Sequence, residues 1–142
     1  MSFQQLLEFA ANHWVLVLAL FLILGLLAHN LFFAAKGSVD PLAATNLINR
    51  RDALVVDVRS AADYAKGHII RAKNLPMNGF SKQIQTLQKY KDKPIIVCCR
   101  SGSQSSLACQ QLRKAGFQEV YNLQGGLLAW ENANLPLTRK KR

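Results

Sequence analysis

Cys99 opens a run of small and polar residues, Arg100, Ser101, Gly102, Ser103, Gln104 and Ser105, directly after the apolar stretch Pro94 to Cys98. A strand that ends in such a run and feeds a helix gathers unpaired backbone N–H groups around one point, at the positive end of the helix dipole. Negative charge is stabilised there. With its side chain in that cradle, Cys99 favours the thiolate over the thiol, which lowers its pKa and raises the population of the nucleophile. Gly102 and the serines let the backbone close around the sulfur without bulk in the way. The chemistry this supports is nucleophilic attack by sulfur, with Cys99 as the attacking residue and Arg100 to Ser105 as the substrate-binding loop.

The other chemistry-bearing residues point elsewhere. Cys98 alternates to the opposite side of its strand and is expected in the core, and Cys109 is expected to pack its helix against the sheet. Three cysteines make an odd count, which is no disulfide framework, and they lack paired C-x-x-C spacing. His13, His29 and His68 are dispersed, so no metal site is expected. Free thiols suit a reducing compartment. Asp57 and Arg59, at the end of a neighbouring strand, are expected to brace loops through an ion pair rather than to react. Trp130 is expected in the core.

The elements that must position Cys99 follow from pattern. Asp40 before Pro41 reads as an N-cap with proline at the first helical position, opening a helix to about Asn49. The apolar run from Ala53 to Val58 and the run Pro94 to Cys98 read as strands buried on both faces. Ser60 and Asp63 have the spacing of a helix start, with Gly67 as its end. Further elements are a short strand at Ala72 to Leu75, a polar-faced helix over Ser81 to Tyr90, and a helix from about Ser105 to Ala115 closed by Gly116. A strand near Glu119 to Asn122 and a last helix from Gly125 to Trp130 complete the pattern. Strands alternating with helices predict an α/β domain with a mostly parallel central sheet covered by helices.

The N-terminal part differs in kind. Trp14 through Ala35 carries no charge and would span about 33 Å as a helix, close to the thickness of a bilayer's hydrocarbon. His29 and Asn30 interrupt its apolar pattern and suit the inner interface. No Lys or Arg precedes the run, which argues against a cleavable signal and for a retained transmembrane helix. All 18 Lys and Arg lie at or after Lys36, including Arg50 and Arg51, so the C-terminal domain is expected on the cytoplasmic side of the inner cell membrane. Residues 1–13 are expected as a short segment with Phe3, Leu6, Leu7 and Ala10 on one helical face. Residues 36–39 read as a linker, 40–136 as the folded domain, and 137–142, with Arg139, Lys140, Lys141 and Arg142, as a basic tail. The net charge of +10 is scattered and has no interleaved aromatic platform, so nucleic acid is not expected, and an anionic lipid surface is the simpler partner.

The loop C-R-S-G-x-x-S after a buried strand resembles the active loop of the rhodanese sulfurtransferases, with Cys99 in the nucleophile's place. Asp57, Val58 and Arg59 match the family's D-V-R, and Gly67, His68 and Ile69 its G-H-I. Asn74, Leu75 and Pro76 match its N-[IL]-P, Ala115, Gly116 and Phe117 its A-G-F, and Gly125 to Trp130 its G-G-[IL]-x-A-W. The resemblance covers about residues 40 to 136 and implies a rhodanese-like domain behind a transmembrane helix. It also implies transfer of a sulfane sulfur through a persulfide on Cys99, without a cofactor. The donor would be thiosulfate, another small anion or a persulfide-carrying protein, and the acceptor a thiol or cyanide-like nucleophile. Arg100 would draw anionic donors, and His68 would sit in a structural turn. Gln104 stands where many relatives have a second basic residue, which weakens attraction for a small dianion, and Ile70 and Arg71 replace the common Pro-Gly. A phosphatase on a related fold needs arginine six positions after the cysteine, and position 105 is Ser. A non-catalytic, membrane-tethered interaction module, with membrane proteins as partners, is the alternative reading.

Overall fold

The computed structural model describes residues 1–140, with the backbone alone for 32–36. The chain divides into two compact units, Met1–Lys36 and Gly37–Arg142.

The first unit is helical. Helix α1 (Phe3–Asn12) starts on a capping box in which Ser2 Oγ accepts from Gln5 N–H and Gln5 Oε1 accepts from Ser2 N–H, at 3.4 and 3.0 Å. Its apolar residues Phe3, Leu6 and Leu7 are exposed. Helix α2 (Trp14–Lys36) has apolar residues on all sides over Trp14–Leu31 rather than a single apolar face. The stretch Trp14–Leu31 is long and apolar enough to cross a membrane by length and composition. The side chain of Lys36, used above for orientation, lies outside the described residues, as do Lys141 and Arg142.

The second unit is an α/β domain. In chain order it runs β1 (Ser38–Val39), α3 (Pro41–Arg51), β2 (Leu54–Asp57), α4 (Ala61–Lys66), β3 (Lys73–Asn74), α5 (Phe80–Gln83), a 3-10 helix (Ile84–Tyr90), β4 (Ile95–Cys98), α6 (Ser103–Lys114), β5 (Val120–Leu123) and α7 (Gly126–Asn132). The strands form one sheet in the order β1-β5-β4-β2-β3, every pair parallel. β2 and β4 lie centrally and are buried at every position, which is why their sequences are apolar runs rather than alternations. Alternation instead divides their side chains between two cores. Val56, Val97 and Cys99 pack with Ala108, Cys109 and Leu112 of α6 and with Phe80 and Leu87 on one face. Val55, Ile96 and Cys98 pack with Ala44, Tyr64 and Trp130 on the other. Each such aliphatic side chain contributes about 1.5 to 3 kcal/mol through burial.

Several expected elements differ in detail. The linker expected at 36–39 supplies β1: Ser38 and Val39 pair with Asn122 and Leu123, so the sheet begins before Asp40. The expected helix over Ser81 to Tyr90 starts at Phe80 and tightens into 3-10 geometry at Ile84. Ile84 and Leu87 bury side chains at three-residue spacing, and Thr86 Oγ1 donates to Gln83 O, both of which suit a tighter helix. Helix α6 begins at Ser103, two residues early, because Gly102 takes the left-handed conformation that lets the chain turn sooner. Of the segment expected as a loose tail, Thr138 and Lys140 are tied down. Thr138 pairs with His68 through two backbone hydrogen bonds of 2.9 and 2.7 Å, and Lys140 O lies 2.8 Å from His68 Nε2. His68 is buried, stacked on Tyr64, with Nδ1 2.8 Å from Tyr64 O. Its role is to fasten the chain's end to the turn after α4.

Candidate active site

In an open parallel sheet the crevice for a ligand lies beyond the carboxyl ends of the strands. Here Asp57 ends β2, Cys99 follows β4, and Asn122 lies near the end of β5. The three residues therefore converge on one edge.

Cys99 is held through its own backbone. Its carbonyl accepts from Leu127 N–H at 2.9 Å, and that of Arg100 accepts from Leu128 N–H at 3.2 Å, so the N-terminus of α7 clamps the start of the loop. The sulfur accepts from Gly102 N–H at 3.0 Å and lies 3.3 Å from Ser105 Oγ. Gly102 has φ +100, and that conformation aims its N–H back at the sulfur three residues earlier. Burial alone pushes the Cys99 thiol up. The Ser105 hydroxyl and the N–H groups of Ser105, Gly102 and Ser101 outweigh it, and the net shift is downward.

Asn122 completes the cradle and was not singled out from sequence. Its Nδ2 donates to Gly102 O at 2.9 Å, and its Oδ1 accepts from Ser105 Oγ at 2.5 Å. With Nδ2 committed to a carbonyl, Oδ1 acts as an acceptor, and the single Ser105 hydrogen has two takers, Oδ1 and the sulfur. The thiol form satisfies all three, since S–H donates to Ser105 Oγ while Ser105 donates to Asn122. In the thiolate form the Ser105 hydrogen is shared between sulfur and amide. The backbone N–H groups are thus the constant part of the stabilisation. A polar residue at the end of the strand beside the nucleophile's strand is the signal that could have identified Asn122.

The remaining cysteines are poor nucleophiles. Cys98 is fully buried, and burial followed by the Asp57 carboxylate pushes its thiol well up. Burial pushes Cys109 up to about 12.

Asp57 is fully buried, and Arg59 covers it. Arg59 Nη2 donates to Asp57 Oδ2 at 2.7 Å and Nε to Oδ1 at 3.0 Å, while Nη2 also donates to Gly67 O at 2.7 Å. Asn74 Nδ2 donates to Asp57 O and Arg59 O, joining the end of β3 to the loop after β2. The pair fixes one wall of the site.

Between that wall and the cysteine loop opens a cleft of about 370 Å³, lined by Cys99, Arg100, Ser101, Ser103 and Gln104 on one side and Arg59, Ser60 and Asp63 on the other. Arg100, Ser101, Ser103 and Gln104 are exposed at its mouth, whereas Ser105 and Gly102 do not line it, and Ser105 is buried. The arrangement suits a small anionic sulfur entering from solvent, with a nucleophile at the bottom and N–H groups around it.

Residues 40–133 match the sequence model of the Rhodanese-like domain. The chain is 37% identical over 142 residues to "Uncharacterized protein YibN" of Escherichia coli K12, covering 97% of this chain and 99% of that one. It is 37% identical over 91 residues to a "Sulfurtransferase" of Allochromatium vinosum, covering 64% of this chain and 83% of that one. Among solved structures, the solution structure of the rhodanese-like domain of the Anabaena sp. Alr3790 protein superposes with TM-score 0.66 at 28% identity, covering 72% of this chain and 79% of that one.

Proposed function

The chain belongs to the rhodanese-like domain family, and on that premise we propose that it is a membrane-anchored sulfurtransferase carrying a sulfane sulfur as a persulfide on Cys99. One observation carries the reading. Of the three cysteines, Cys99 is the one whose sulfur receives a backbone N–H, at 3.0 Å from Gly102, and whose pKa is lowered rather than raised.

In the first half-reaction the Cys99 thiolate attacks the outer sulfur of the donor. The donor's S–S bond breaks, and its electron pair leaves with the inner group, as sulfite from thiosulfate or a thiolate from a persulfide. The new terminal sulfur takes the negative charge toward the loop N–H groups that held the thiolate. In the second half-reaction a thiol or cyanide-like acceptor removes that sulfur and returns the thiolate. Arg100 at the mouth draws negative donors inward. The uncharged stretch Trp14 through Ala35 of helix α2 supplies the anchor, and the basic residues from Lys36 onward orient the domain toward the cytoplasm at the inner membrane.

Full-length protein is expected to stay with the membrane fraction through an alkaline wash. After solubilisation, incubation with thiosulfate or a cysteine persulfide should add the mass of one sulfur to the peptide bearing Cys99. Release by alkaline wash would remove the anchor from the account. Absence of the adduct with every donor would leave a tethered interaction module in place of the enzyme.

A further inference from the structure

The charges at the mouth of the cleft decide which donor it accepts. Four ionic groups matter: Asp57 and Arg59 in the wall, Asp63 on α4, and Arg100 in the loop. The Arg59 guanidinium is spent on the buried Asp57 carboxylate and on Gly67 O, so that pair presents no net charge. What remains is Arg100, opposed across the cleft by Asp63. Asp63 is exposed and faces the same space, and Lys66 lies 3.9 Å from its carboxylate in a loose surface pair that offsets it only in part. Gln104, the other long side chain on the loop side of the mouth, is uncharged. A donor entering here meets only the weak positive field left when Asp63 is set against Arg100.

A dianion such as thiosulfate gains little from such a mouth, because much of what it gains beside Arg100 it loses beside Asp63. A persulfide of the R–S–SH type brings its sulfane sulfur in without a second charge, and the R group, with whatever charge it bears, stays outside. Resting on the reading of Cys99 as a sulfur carrier, we propose that this site takes sulfur from cysteine persulfides in preference to thiosulfate, and that Asp63 and Gln104 set that preference. The step balances as Cys99–S⁻ with R–S–SH giving Cys99–S–S⁻ and R–SH. The bond between the donor's two sulfurs breaks, its electron pair leaves with the inner sulfur, and the proton on the outer sulfur passes to the departing thiolate. No oxidant or reductant is consumed.

The test measures second-order rate constants for loading Cys99 of the solubilised full-length chain, by quenching and mass analysis. The donors are thiosulfate, free cysteine persulfide and a persulfidated peptide, each tested on wild type, Asp63→Asn, Gln104→Lys and the double variant. Wild type is expected to load from a persulfide at least about tenfold faster than from thiosulfate. Each single variant should shift the thiosulfate-to-persulfide ratio about three- to tenfold toward thiosulfate at low salt, the double variant further, and the shift should shrink as salt screens the mouth. Loading from the free or the peptide-borne persulfide alone supports the proposal equally and identifies the source. A thiosulfate rate equal to or above the persulfide rate in wild type overturns it, as does a ratio that neither substitution moves. If Cys99 loads from no donor in any variant, the underlying sulfur-carrier reading fails instead.

Discussion

Replacing Cys99 with Ser is expected to lower thiocyanate formation from a sulfane donor and cyanide by roughly 10³-fold or more, with the far-ultraviolet circular dichroism unchanged. The substitution keeps shape and burial and leaves the clamp from Leu127 and Leu128 to the carbonyls of residues 99 and 100 in place. It removes the one sulfur atom that lines the cleft among the described residues. A serine hydroxyl stays protonated at neutral pH even beside three N–H groups, so the cradle has no anion to stabilise. The neighbouring thiols do not substitute for it. Cys98 lies on the opposite face of the sheet, pushed well up by burial, and Cys109 is held at about 12. Residual turnover near the wild-type level would move the chemistry away from residue 99 altogether.

Gly126→Ala is expected to destabilise the domain by about 3 kcal/mol and to slow sulfur loading at the same time. Gly126 has φ +60, and a Cβ placed on it would lie 2.5 Å from Arg100 O and 2.6 Å from Cys99 O. Both obstacles are backbone atoms, so no side chain can swing aside to relieve them. They are also the two carbonyls that accept from Leu127 and Leu128, so α7 must pull back from the loop it clamps. Loss of those bonds loosens the segment that aims Gly102 N–H at the sulfur. Chemical denaturation measures the first effect and the loading rate the second. A variant as stable and as fast as wild type would show that the clamp does not govern the loop.

Much of this architecture is legible in the residues. The apolar runs of β2 and β4 announce a sheet covered on both faces, and the caps at Asp40 and Ser60 mark helices at their observed starts, each side chain accepting from the N–H three residues on. The order of strands and helices already implies a parallel sheet. What escapes the sequence is short or non-local. β1 and β3 have two residues each, too few to carry a period, and they exist because neighbouring strands offer them partners. The switch to 3-10 geometry at Ile84 depends on what Ile84 and Leu87 pack against.

The same division holds within the site. The loop from Cys99 to Ser105 reads as an anion cradle because its composition is local information. Asn122 reaches Gly102 and Ser105 only through the pairing of β4 with β5, in which Val97 lies opposite Asn122. Asp63 reads from sequence as a helix-start residue, and its place opposite Arg100 follows from the fold of the loop after β2. Arg59 reads from sequence as a brace for Asp57, whereas its further bond to Gly67 O depends on where the turn after α4 lies.

The account turns on a negative sulfur steadied by main-chain N–H groups, and the ionisation of Cys99 measures that directly. The rate of alkylation at the peptide bearing Cys99, followed against pH, should rise with the thiolate fraction and level off with a midpoint below the roughly 8.5 of a free thiol. The sign follows from the geometry, since groups that donate to the sulfur favour its charged form. A midpoint at or above the free-thiol value would contradict the account, because it would mean that burial outweighs the N–H groups at residue 99.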